Sequence, residues 1–170
     1  MRHQAILATF AALLVLPSFV EAADYSGRAR VIDGDTISIR KQRIRIAAID
    51  ACERDQTGLK DGEIWPCGVA ARSYLGKMID GQHVRCDIID QDQYRRLVGQ
   101  CFLGETDIGL AMVRAGLAEA MLRYLPATHS ISEVEYGQAE NRARDKGFGM
   151  WSAKIESPHE YRRSKSSKMP

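Results

Sequence analysis

The chain has 170 residues, with 24 basic against 22 acidic side chains, 45 % hydrophobic residues and 27 % charged ones. A formal charge of +2 points to no highly charged partner by itself. The length suits one domain with a real core, and beyond the first segment no stretch is apolar enough to span a bilayer.

Residues 1–22 have the order of a secretory leader: Arg2 and His3, an apolar run over 5–15, then Val20-Glu21-Ala22 as a small-residue cleavage site. Cutting after Ala22 removes Arg2 and Glu21 and leaves 23 basic and 21 acidic residues, so the charge is unchanged. All four cysteines follow the leader, and an even number in an exported chain predicts disulfides. Four cysteines allow three pairings. Cys86 and Cys101 lie symmetrically about a turn at 93–94, so a hairpin would set them opposite one another, and Cys52 and Cys67 would close the loop between them. A zinc site is disfavoured, since no CxxC pair occurs and His83, His129 and His159 are scattered.

In chain order, alternating apolar residues predict strands over 25–32, 36–40 and 43–49, with Ile37, Ile39, Ile44 and Ile46 facing the core. Asp33-Gly34 and Lys41-Gln42 supply the turns. Residues 54–65 read as a polar loop. Pro66 opens a helix with Ala71, Leu75, Met78 and Ile79 on one face, and Gly81 ends it. Strands at 83–89 and 97–103 flank a charged turn. A helix beginning at Thr106 or Asp107 presents Ile108, Ala111, Met112 and Ala115, and stops at Gly116. Ser132 and Glu135 form a capping box for a third helix that turns Ala139 and Ala143 inward. Trp65 and Trp151 read as aromatic anchors on the core. The tail, 157–170, holds Arg162, Arg163, Lys165 and Lys168 against Glu160 and reads as a basic, solvated, disordered end. Five short strands with helices between and after them fit an α+β fold, a five-stranded Greek-key barrel of the OB type. No internal repeat or linker divides the chain, which gives a leader over 1–22, one domain over 23–156 and a tail over 157–170.

The stretch 31–53 concentrates the candidate chemistry. Hydrolysis of a phosphodiester needs positive charge against the non-bridging oxygens and a water oriented opposite the leaving group. Asp35 and Asp50 fall at strand ends, and two carboxylates with a backbone carbonyl and waters make an oxygen site for calcium. Glu53 lies three residues beyond Asp50, within reach of such a water. Arg45, on the polar face of the third strand, offers a planar fork for phosphate oxygens. Arg96 follows the charged turn, and Tyr94 beside it can stack on a base.

These residues carry a resemblance. VIDGDT at 31–36, R-I-x-x-I-D-x-x-E at 45–53, D-x-Y-x-R at 92–96, IGLAMVRAGLAEA at 108–120 and A-E-x-x-A-R-x-x-x-x-G-x-W at 139–151 are similar to the staphylococcal nuclease-like (thermonuclease) domains over about residues 27–152. The resemblance implies an OB barrel with three helices, and one calcium ion held by Asp35, Asp50 and the carbonyl of Ala51. It implies Glu53 as the base for the attacking water, Arg45 and Arg96 on the transition state, and Tyr94 and Tyr124 in the nucleotide pocket. It further implies cleavage of single-stranded DNA and RNA to 5′-hydroxyl and 3′-phosphate ends. Ala51-Cys52 departs from the family's usual Thr-Pro, Leu122 stands in place of a pocket tyrosine, and Arg95 in place of a turn glycine.

Taken singly, each of these residues has a plain structural use in a turn, a surface ion pair or a packed ring. Their ordered coincidence favours an exported, monomeric, calcium-dependent nuclease in a periplasm or outside the cell. The alternatives are a non-catalytic nucleic-acid-binding OB module and an envelope-associated accessory protein with a vestigial site. The nuclease reading requires three acids, two guanidinium groups and a divalent ion to meet at one mouth of the barrel.

Overall fold

The computed structural model describes residues 24–167, so the expected leader and its cleavage site lie outside the described residues. Strands β1 (Asp24–Val31), β2 (Thr36–Ile39) and β3 (Gln42–Ile46) form an antiparallel meander, with Ala29 opposite Ile39 and Thr36 opposite Arg45. Two short elements follow, strand β4 (Ile49–Ala51) and the hairpin β5 (Gly58–Lys60) with β6 (Glu63–Trp65). Helix α1 (Cys67–Ile79) leads to the hairpin β7 (His83–Gln91) and β8 (Leu97–Leu103). Beyond these lie β9 (Thr106–Asp107), α2 (Ile108–Arg114), β10 (Ala118–Ala120), α3 (Glu133–Asp145) and α4 (Pro158–Ser167).

The barrel closes because β7 pairs with β1 on one side and β8 pairs in parallel with β3 on the other. Five strands therefore share one ring, β1-β2-β3-β8-β7, as the OB reading requires. The isoleucines assigned inward from alternation, Ile37, Ile39, Ile44 and Ile46, are all buried. Ala71, Leu75 and Ile79 of α1 are buried in the same core as Ile108, Met112 and Val113 of α2 and Ala139 of α3. Asp107 caps α2 by accepting from the Leu110 amide, and it also accepts from the Tyr136 hydroxyl at 2.9 Å and from Gln100 Nε2 at 2.8 Å. Ser132 caps α3 through the Glu135 amide, as expected from the capping box. Trp65 is partly buried against the core, and Trp151 packs on a small cluster of Cys52, Cys67 and Met150.

Both expected disulfides are formed, Cys52–Cys67 and Cys86–Cys101. The second joins residues directly opposite in the β7–β8 register, and the first ties the end of β4 to the first residue of α1.

Three features differ from the sequence reading. The expected third strand, 43–49, is two strands, because the chain turns at Ala48 (φ 63°) between β3 and β4. The expected loop at 54–65 contains the β5–β6 hairpin, which is tied down by reciprocal backbone bonds between Leu59 and Lys154 (2.9 and 2.8 Å). The tail, expected to be a disordered end, is helical over Pro158–Ser167 and adds a fourth helix to the expected three. Its start is well specified. Ser157 Oγ accepts from the Glu160 amide, Glu160 returns a carboxylate to the Ser157 amide, and Pro158 takes the first helical position.

Candidate active site

Asp35 sits where the turn after β1 enters β2. The Asp33 carboxylate braces this turn by accepting from the Asp35 amide, and the Asp35 carbonyl accepts from the Ile46 amide at 2.8 Å. Gly34 is required by packing, since a side chain there would fall 2.7 Å from the Cβ of Ala51 and 2.8 Å from that of Ala71. Asp50 lies in β4, opposite Glu119 of β10, and is completely buried. Arg45 projects from β3 between the two aspartates. Its Nη1 lies 2.8 Å from Asp35 Oδ2, and its Nη2 lies 3.0 Å from Asp50 Oδ1. Burial pushes the Asp35 carboxyl up to about 7 against the pull of Arg45, with Asp33 and Asp50 adding to the rise. Burial works against the Arg45 charge, but Asp35 and Asp50 outweigh it and hold the guanidinium above its ordinary value.

Glu53 follows the Cys52–Cys67 bridge, in a loop fixed from two directions. Gln56, almost wholly buried, accepts from the Glu53 amide at 3.1 Å and donates to the Glu156 carbonyl at 2.8 Å. Helix α1 presses on the same loop so closely that a Cβ on Gly68 would lie 1.9 Å from the Glu53 carbonyl oxygen, and only glycine fits there. Gln56 carried no signal in the sequence, being a single polar residue in a polar stretch.

Arg96 is held by the hairpin turn rather than by the aspartates. Asp92 accepts from the Tyr94 and Arg96 amides at 2.9 Å and from Arg96 Nε at 2.6 Å. Burial alone would raise the Asp92 carboxyl, but these bonds hold it below its ordinary value. Arg95 has φ 64°, a left-handed conformation that glycine adopts without strain. The structure thus brings Arg45, Asp35 and Asp50 into direct contact and leaves Arg96 paired with Asp92. All the same, Arg45, Glu53, Arg96, Tyr94 and Tyr124 line one cavity of about 1070 Å³. The two tyrosines are largely exposed at its rim, with Arg96 over the ring of Tyr94 and Arg123 over that of Tyr124. Leu122 lies in the short 3-10 turn that carries Tyr124.

A further residue, read from the sequence only as one charge of a solvated basic tail, reaches this site. Arg162 of α4 donates to both oxygens of Asp50, Nη1 to Oδ1 at 2.8 Å and Nη2 to Oδ2 at 2.7 Å, and to Glu53 Oε1 at 3.1 Å. It lines the cavity with Arg45. Burial disfavours its charge, but the Asp50 and Glu53 carboxylates more than offset this and raise its pKa. Glu119, opposite Asp50, is pushed up to about 7 by burial and then by Glu140 and Asp50.

The family model described as staphylococcal nuclease homologue matches residues 43–153. The chain belongs to that family. The "Succinoglycan biosynthesis protein ExoI" of Rhizobium meliloti (strain 1021) is 31 % identical over 152 residues, covering 88 % of this chain and 76 % of that protein. A "Probable endonuclease lcl3" of Botryotinia fuckeliana is 33 % identical over 143 residues, covering 80 % of this chain and 53 % of that protein. Another of that name, from Pyrenophora tritici-repentis, is 38 % identical over 113 residues, or 64 % of this chain and 41 % of that protein. The chain therefore spans about half or less of these two endonuclease-named relatives. As a staphylococcal nuclease homologue, it keeps the matched segment from β3 through the 3-10 turn Gly149–Ser152, which includes Arg45, Asp50, Glu53 and Arg96. Asp35 and Arg162 lie on either side of the matched segment.

The donor set fits a hard cation. Asp35 and Asp50 offer only carboxylate oxygens and share a single barrel arginine, so two buried acids face one positive charge from the barrel. Among the described residues no three acidic, imidazole or thiolate groups gather closely enough to hold an ion by themselves.

Proposed function

We propose that the chain is an exported, calcium-dependent nuclease that hydrolyses phosphodiester bonds of single-stranded DNA or RNA and leaves 3′-phosphate ends. One observation carries this reading: Arg45 bridges two buried aspartates at the wall of a cavity that Glu53 and Arg96 also line. In this reading Asp35, Asp50 and the Ala51 carbonyl hold the ion, and calcium, when bound, supplies positive charge against the phosphoryl oxygens.

The side chains do the remaining work. Glu53 accepts a proton from the attacking water, whose oxygen forms a bond to phosphorus as the bond to the 5′ oxygen breaks. That oxygen leaves as a 5′-hydroxyl after taking up a proton. Arg45 and Arg96 donate to the phosphoryl oxygens, where charge grows in the transition state. Arg96 has to exchange Asp92 for phosphate, or share itself between them, as substrate enters. Tyr94 and Tyr124 offer faces on which unstacked bases can lie, which favours single strands. Two disulfides support an oxidising compartment. Among the described residues no helix is long and apolar enough to cross a membrane.

The test is incubation with heat-denatured DNA and with RNA, in calcium and in chelator, for the native chain and for Glu53→Gln. Calcium-dependent fragments ending in 3′-phosphate, lost in the variant, are expected. The relative named for succinoglycan biosynthesis favours a second reading, an accessory role in the cell envelope. Absence of both cleavage and binding in the same assay would select it, and salt-sensitive binding without fragments would indicate a binding module.

A further inference from the structure

The pairing of Arg162 with the acidic residues goes beyond the chemistry just described. Asp50 is fully buried, and each of its oxygens receives an Arg162 nitrogen at 2.7–2.8 Å, while the third contact of that guanidinium is with Glu53. Arg45 takes one of the two Asp50 oxygens and spends its other nitrogen on Asp35. A divalent ion on Asp50 needs oxygen lone pairs that Arg162 already holds, and it would bring two more positive charges against the guanidinium. Ion and arginine are therefore competitors for one carboxylate.

The competitor is tethered. Helix α4 is attached to the body by contacts that do not involve Asp50 or Glu53. Lys165 pairs with Asp55, Gln56 holds the Glu156 carbonyl just before the helix, and Pro158 is buried. These hold the guanidinium at high local concentration over the carboxylates. A way out exists as well. The Arg162 side chain is 36 % exposed and already borders a groove that Glu53, Tyr94, His159, Glu160, Arg163 and Lys165 also line, with Glu160 as its second acid.

We infer that Arg162 is a built-in counter-cation that holds the Asp50–Glu53 pair when calcium is absent and must withdraw into the α4 groove for calcium to bind. The inference rests on the reading of Asp50 as a calcium ligand. It makes α4 an internal restraint on the site. Without calcium, Glu53 Oε1 stays engaged by a guanidinium and is not free to accept from a water. With calcium, Glu53 is released and a positive side chain is freed beside the cavity in which a phosphodiester would lie.

Calorimetric titration of the full chain with calcium alone, without nucleic acid, tests it. Arg162→Gln is expected to bind calcium on the order of tenfold more tightly than the native chain, the scale of a typical coupling between two sites. Removing Arg162 could destabilise the calcium-free fold, so the native chain is also followed by NMR of the Arg162 side-chain Nε–H. This signal is expected to move to the position of a solvent-exposed arginine as calcium saturates. Equal affinity in the two chains, or an Arg162 signal that stays in place at saturation, would overturn the inference and leave the calcium-dependent nuclease standing. Failure of both chains to bind calcium would overturn the inference and the calcium reading together.

Discussion

Asp50 receives one guanidinium from the barrel and another from the last helix, and the two arms are built differently. Arg45 is set by the register of β3 against β2 and β8, which fixes its direction as firmly as the core beneath it. Arg162 is set by a helix resting on the loop at 53–56 through an ion pair, one amide and a buried proline. The first belongs to the framework and the second to an attachment. A charge supplied by the framework can be relied on throughout a reaction, whereas one supplied by an attachment can be withdrawn. This contrast makes Arg45 the better candidate for transition-state work and Arg162 the better candidate for control.

The largest expected effect tests the framework arm. Arg45→Ala should lower turnover on denatured DNA by about 10²–10³-fold through loss of a transition-state donor. In chelator it should also cost about 3 kcal/mol of stability, because buried Asp35 loses its guanidinium partner while Asp50 keeps Arg162. Single-turnover kinetics and denaturant melts measure the two effects, and near-native turnover would remove Arg45 from the chemistry.

Next in size, the two disulfides separate loop from framework. Replacing Cys52 and Cys67 by alanine opens a ring of about 15 residues, worth roughly 3 kcal/mol in the chain-entropy model. It should also depress turnover, since Glu53 adjoins Cys52. Replacing Cys86 and Cys101 should cost stability on a similar scale and leave turnover per folded molecule nearly unchanged. Equal losses of activity would erase the distinction.

A smaller effect is expected at Tyr136, whose hydroxyl donates to the α2 cap, Asp107. Tyr136→Phe should cost about 1.5–3 kcal/mol in a denaturant melt, as for hydrogen bonds to a charged group, with no change in calcium affinity. The smallest concerns the turn that carries Arg96. The Asp92 carboxyl is held below its ordinary 3.8, so its ionised form favours the folded state. The stability it contributes is present above the unfolded value and lost as pH falls through the folded one. The native chain should therefore exceed Asp92→Asn in stability by a constant margin from about pH 5 to 8, and the margin should shrink below about pH 4. A margin that persisted in acid would place the effect in backbone geometry rather than in charge.

What was legible in the sequence follows the same division. The barrel strands announced themselves because burial on one face of a strand writes an alternating pattern, as at Ile37, Ile39, Ile44 and Ile46. The cysteine spacing gave the hairpin pairing because strand register is regular. The β5–β6 hairpin was missed since Gly-Leu-Lys and Glu-Ile-Trp are too short to show alternation, although Asp61-Gly62 between them is a strong turn signal and adopts positive φ at both residues. Helix α4 was missed because its charged composition outweighed the S-x-x-E box at 157–160, which the structure uses as a cap. Arg162 could not be foreseen from spacing, since it meets Asp50 from 112 residues away and no local pattern encodes that encounter. The Arg96–Asp92 pair was hidden for another reason. The D-x-Y-x-R spacing brings the two residues within reach of each other, but whether the arginine faces its own turn or the barrel mouth is decided by bonds to the Asp92 carboxylate.

The bridge between Cys52 and Cys67 has a consequence for when the site is finished. Before those thiols are joined, the segment carrying Glu53 depends on Gln56 and the close approach of Gly68 to hold its course. While the thiols stay unjoined, that stretch would thus be the slackest wall of the candidate site, and it would stiffen only on their oxidation.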